Sequence, residues 1–219
     1  MIIDHTHPEY IKRRKEIGNG KYNGCYYYSC EIVKNIIPNV KTNRDWNTIG
    51  RDVEGMRDGM IVFLHDNLSP WHYDWLKNYN DLILVCSSQY VVNSVHFWGT
   101  PILLPMSIDT EYVKQFRTEK TKDTCFAGNA WVKANTHTPI VGNVDFFSSL
   151  PRPKLLKEIA KYKRCYAIDR CAQECQVLGC ELLPLKVGYG CDSVEVLDNR
   201  EAAKILQAEL NKIDGGNYV

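Results

Sequence analysis

Residues 166–185, YAIDRCAQECQVLGCELLPL, set Cys171, Cys175 and Cys180 around a central carboxylate, Glu174. A structural zinc site is ordinarily built from two close cysteine pairs such as C-x-x-C. Here the late cysteines, 165, 171, 175, 180 and 191, are separated by five, three, four and ten residues. Cys171 and Cys175 share a helical face at i and i+4, which leaves a metal as a minor reading; buried thiols acting as small apolar residues are the default. The N-terminal DHTHPE offers a second set, Asp4, His5, His7 and Glu9, whose His-x-His spacing suits one face of a strand in a metal-dependent hydrolase. No second histidine cluster follows downstream to complete it. A third set is His65 with Asp66, at the end of an apolar run. Asp66 could take a proton from a hydroxyl if burial raised its basicity, and the rival reading is a hydrogen-bonded strand cap.

These side chains need elements to hold them. MIVFLHD (60–66) and DLILVCSS (81–88) are short, almost continuously apolar runs ending in polar residues, the pattern of parallel strands covered on both faces. Between them SPWHYDWLKNY predicts a helix opened by Ser69 and Pro70, completing a β-α-β unit. QYVVNSVHFWG predicts a helix closed by Gly99, and TPILLPMSID a further strand. Upstream, NGCYYYSCEIVKNIIPNV predicts a helix that stops before Pro38, preceded by a basic helix carrying Lys12 to Lys15. In the second half DTCFAGN (123–129), RCYAID and CELLPL read as strands, alternating with helices in KLLKEIAKYK and RCAQECQVLG. The aperiodic stretch between Asn129 and Lys154 reads as a long loop. The last helix, 199–213, has Asp198 as N-cap, Glu201 as its capping-box partner and an apolar stripe of Ala202, Ile205, Leu206, Leu210 and Ile213.

The expected class is therefore α/β, with two Rossmann-like β-α-β halves. The boundary falls in the polar TEYVKQFRTEKTKD, giving halves of 1–112 and 113–219. A chain of 219 residues with 44% hydrophobic and 24% charged residues has ordinary globular composition, and a net charge of +1 supplies no broad basic field for nucleic acid. No run reaches the roughly 18 apolar residues of a membrane span, and no charged leader precedes an apolar segment. The expected location is cytoplasmic, with nine reduced cysteines.

Open parallel sheets bind ligands beyond the carboxyl ends of their strands. Five such edges carry polar residues: His65-Asp66-Asn67, Ser87-Ser88, Ser107-Ile108-Asp109, Gly128-Asn129 and Asp169-Arg170. Their order, through VFLHDN, DLILVCSSQYVVNSVHFWGTPILLPMSIDTEYV, TCFAGN and ECQVLGCELLPL, resembles the GT-B glycosyltransferases, whose two Rossmann-like halves face a cleft that holds a nucleotide sugar. The resemblance covers roughly residues 60–185. It implies that Glu174 accepts hydrogen bonds from the ribose hydroxyls, two acceptor oxygens meeting two vicinal donors. It implies that Arg170 and the helix N-terminus neutralise the diphosphate. The backbone at Gly128 and Asn129 would approach phosphate, with Lys133 the nearby cation, and His65 with Asp66 would serve the reacting end as catalytic residues. Asp109 would be structural. The family's first glutamate, eight residues before Glu174, is replaced by Tyr166. The implied partners are a nucleotide-sugar donor and a hydroxyl acceptor of open identity, modified DNA included; no cofactor or metal is implied. The alternatives are a nucleotide-binding module without turnover on the same fold and the hydrolase built on His5 and His7.

Overall fold

The structure is a computed structural model that describes residues 34–49, 56–64, 74–128, 139–147, 150–185 and 195–215. It is α/β, with two four-stranded parallel sheets in two compact units. The first unit is Met1–Met106 with Asn199–Val219, and the second is Ser107–Asp198. The sequence places the boundary at 112/113; the unit division falls earlier, and the last helix goes with the first unit.

In the first unit the strands β1 (Trp46–Ile49), β2 (Ile61–Leu64), β3 (Ile83–Cys86) and β4 (Thr100–Leu103) lie side by side in chain order. Every residue of β2 and β3 is buried, as their unbroken apolar runs require. Val62, Leu64, Leu84 and Cys86 form one face, packed against Leu76, Val91 and Val95. Each such side chain contributes about 1.5–3 kcal/mol by leaving water. Helix α1 (Gln89–Val95) starts where Ser88, in extended conformation, accepts a hydrogen bond from the Val91 amide. Gly99 does not close this helix, which ends at Val95. It is needed for proximity, because a Cβ there would stand 2.6 Å from the Leu82 carbonyl oxygen. The helix expected over 69–79 is described only as a 3₁₀ turn, Asp74–Asn78.

The second unit opens with helix α2 (Thr110–Lys114), capped by Asp109, whose carboxylate accepts from the Tyr112 amide at 2.9 Å. Strands β5 (Lys122–Ala127), β6 (Asp145–Phe147), β7 (Tyr162–Ala167) and β8 (Glu181–Leu183) follow, with helix α3 (Arg152–Ile159) before β7 and α4 (Asp169–Val177) after it. Their order in the sheet is β6-β5-β7-β8. Successive connections therefore leave β5 in one direction and return past it in the other. Leu155, Leu156 and Ile159 of α3 and Ala172 and Cys175 of α4 pack with Cys125 and Cys165 in one core cluster. Phe126 and Tyr166 bury the opposite face with Ile140 and Val144.

Helix α5 (Asn199–Ile213) buries Ala202, Leu206 and Leu210. Gln207 joins it to the chain before β1 by hydrogen bonds to both the amide and the carbonyl of Lys41. Asp198 stands just before this helix, yet its carboxylate accepts from the amide and, at 2.6 Å, the hydroxyl of Thr110. No helix among the described residues is long and apolar enough to cross a membrane.

Candidate functional site

A reversal of strand order opens a crevice at the carboxyl ends of the two strands on either side of it. The first unit has no reversal among its described strands. In the second unit the reversal lies between β5 and β7, so the tips concerned are Gly128 and the segment Ile168-Asp169-Arg170. Two of the five edges picked out in the sequence thus lie at the strand reversal found among the described strands.

The start of α4 is unusual in three respects. Its N-cap is Ile168, which has no side chain able to accept from the first-turn amides. Asp169 has φ 50°, the left-handed region that costs a non-glycine residue about 1 kcal/mol or more. Its second residue is Arg170, a cation at the positive end of the helix dipole, directly after the acidic Asp169 that the dipole favours. A cation also opens α3, whose first residue is Arg152 and whose first turn has no acidic residue.

Both arginines converge on Glu174. Arg152 Nε donates to Glu174 Oε1 at 2.9 Å, and Arg170 Nε lies 3.5 Å from the same oxygen. The Glu174 side chain has no exposed surface, that of Arg152 has 5% and that of Arg170 16%. Burial pulls the Arg152 guanidinium below its ordinary range; the Glu174 carboxylate opposes that shift and the neighbouring Arg170 adds to it. Arg152 also stands 5.2 Å above the Tyr112 ring. Two cations thus converge on one buried carboxylate beside the strand reversal. Glu174 Oε2 is buried with no hydrogen-bond partner among the described residues.

Glu174 is consequently not an acceptor open to ribose in this arrangement. Its carboxylate is enclosed and holds Arg152, because the helix turns that residue inward one turn after Arg170. Gly128 is also engaged, since its amide donates to the Phe147 carbonyl at 3.2 Å instead of standing free for phosphate. Arg170 is where the sequence placed it, at the helix start, and is the most exposed member of the cluster. His65 and Asp66, which follow β2 directly, lie outside the described residues, as do Asn129, Lys133, His5 and His7. Arg152 was missed. The signal for it was an arginine in the first turn of a helix, against the dipole, repeated at Arg170.

Among the described residues no group of three or more His, Cys, Asp or Glu side chains is placed to hold a metal ion. Comparison of the chain with known proteins gives no match to a family model, to a curated protein or to a solved structure.

Proposed function

We propose that the chain is a glycosyltransferase-like protein that binds a nucleoside diphosphate sugar through its second unit and transfers the sugar to a hydroxyl acceptor. The observation that carries this reading is the convergence of Arg152 and Arg170 on Glu174 beside the β5/β7 strand reversal. A diphosphate is the anion such a place suits. Arg170 offers a planar fork to it, at the positive end of the α4 dipole. Glu174 acts here as a positioning residue that fixes both guanidinium groups. Negative charge developing on the departing diphosphate would be stabilised by groups already in place, with no reorganisation during the reaction. In this reading the two units are the two halves of a GT-B-like fold, and His65 with Asp66, at the end of β2, attend the reacting carbon and the acceptor hydroxyl.

One observation favours the second reading, a binding module without turnover. Tyr166 occupies the position of the family's first glutamate, and its side chain is spent on packing against Phe126. Thermal melts and calorimetric titration of the full chain with UDP, ADP, GDP and pyrophosphate test both readings. Binding that falls tenfold or more in Arg170→Ala, the loss of a charged hydrogen bond of about 1.5–3 kcal/mol, supports the nucleotide site. Slow hydrolysis of a matching nucleotide sugar would then separate the enzyme from the module. No binding at millimolar nucleotide would end both.

A further inference from the structure

The core of the second unit contains a row of four thiols that the proposed function does not use. Cys125 and Cys165 are direct register partners on β5 and β7, Cys175 comes from α4, and Cys180 precedes β8. All four are free and buried; Cys180, at 6% exposure, is the least enclosed. The Cys175 sulfur lies 3.1 Å from that of Cys165, and the Cys125 sulfur 3.5 Å from it. The turn ending α4 brings Cys180 against Cys175. Gly179 takes φ 80° there, and the Cys180 amide donates to the Cys175 carbonyl at 2.9 Å. Lys120 Nζ stands 3.3 Å from the Cys180 sulfur.

This arrangement polarises the row. Thiol hydrogen bonds from Cys125 and then Cys175 hold Cys165 below an ordinary thiol against the opposing effect of burial, while the same contacts push Cys125 and Cys175 up. Cys180 is lowered by its bond from Cys175 and by the Lys120 ammonium. The reactive species of a cysteine is its thiolate, so the least enclosed sulfur is also one whose thiolate is favoured. A disulfide needs sulfurs about 2.05 Å apart, which the Cys165 and Cys175 sulfurs reach by moving about 1 Å.

We propose that Cys165 and Cys175 form a reversible disulfide under two-electron oxidation, with Cys180 as the sulfur at which the oxidant enters. With hydrogen peroxide as oxidant, the Cys180 thiolate attacks one oxygen, the O–O bond breaks, and a sulfenic acid and hydroxide result. The Cys175 sulfur displaces the sulfenic hydroxyl, to which its proton passes, so that water leaves and a Cys175–Cys180 bond forms. Cys165 gives its proton to the hydroxide, making the second water, and its thiolate attacks the Cys175 sulfur. Cys180 departs as thiolate, ready to react again. In sum, two thiols lose two hydrogens and one peroxide becomes two waters. The product ties α4, which carries Arg170 and Glu174, to the strand that leads into it.

The test uses the full reduced chain, treated with peroxide at neutral pH, blocked with an alkylating agent in denaturant, digested with trypsin and read by fragment-ion mass spectrometry. Cleavage after Arg164 and Arg170 puts Cys165 on a different peptide from Cys175. The expected product is a Cys165–Cys175 cross-linked pair that disappears on reduction, formed in protein whose far-ultraviolet circular dichroism is unchanged. Cys180→Ala should slow its formation about tenfold or more without changing the pair, and Cys175→Ala should abolish it. Complete alkylation of the three sulfurs after oxidation, a different dominant pair, oxygenated Cys180 without a cross-link, or a link formed only in unfolded protein would each overturn the proposal. The wild-type chain supplies the decisive reading, so a variant that fails to fold does not rescue it.

Discussion

Removing the Glu174 carboxylate leaves the Arg152 guanidinium in a place almost closed to water without its counter-charge. Breaking one side of a buried ion pair costs about 3–5 kcal/mol, more than the pair itself contributes, because the orphaned charge keeps its desolvation penalty. Glu174→Ala should therefore lower the unfolding free energy measured by denaturant titration by that amount. Glu174→Gln, which keeps an acceptor but not the charge, should cost less. Equal stability of wild type and both variants would show that Arg152 does not depend on this carboxylate. The GT-B resemblance of ECQVLGCELL singled out Glu174 as a ribose acceptor, with Arg170 at the start of the same helix as a diphosphate partner. It did not foresee that Glu174 turns inward, since burial of a charge depends on a partner 22 residues away that no local pattern reveals. Arg152 was hidden for the same reason, in a stretch read as the end of a loop.

At the scale of elements, legibility followed apolar content. β2, β3, β5 and β7 announce themselves because a strand covered on both faces must be apolar at successive positions. β1 and β6 do not. β6 is Asp-Phe-Phe with no buried residue, and it is a strand because β5 offers it hydrogen bonds in parallel register, not because its own side chains demand it. Gly99 shows a different failure: a glycine read as a helix stop serves the close approach of β4 to the chain entering β3. Gly99→Ala would drive a methyl group to 2.6 Å from the Leu82 carbonyl and 3.1 Å from side-chain atoms of Leu82 and Leu84. Neither backbone can retreat without disturbing the β3/β4 ladder, so the variant should lose about 1–3 kcal/mol. Thermal or urea unfolding of the single variant measures this, and an unchanged midpoint would mean that β4 shifts freely.

Charged groups at the strand ends of the second unit give the whole molecule a pH dependence of predictable sign. In the second unit the amino ends of β5, β6 and β7 are joined by charged groups. Tyr162 donates to Asp145, Lys122 donates to the Tyr162 hydroxyl at 2.9 Å, and Arg164 pairs with Asp123. The bond from Tyr162 holds the Asp145 carboxyl below its usual range, and the bond from Arg164 does the same for Asp123. In the unfolded chain both titrate near 3.9. A carboxyl whose folded value is depressed contributes stability that is fully present above the unfolded value and is lost as pH falls through the folded one. Acid should accordingly act on the second unit, with melting temperature falling as pH drops below about 4. The fall should be shallower in the double variant Asp145→Asn, Asp123→Asn, which has less acid-sensitive stability to lose. Both side chains are more than half exposed, so raised ionic strength should shrink the difference between wild type and variant. Calorimetric melts from pH 6 to 3 decide the matter: an identical pH slope in the two proteins would mean that these carboxylates do not hold the strand ends, and that acid lability arises elsewhere in the chain.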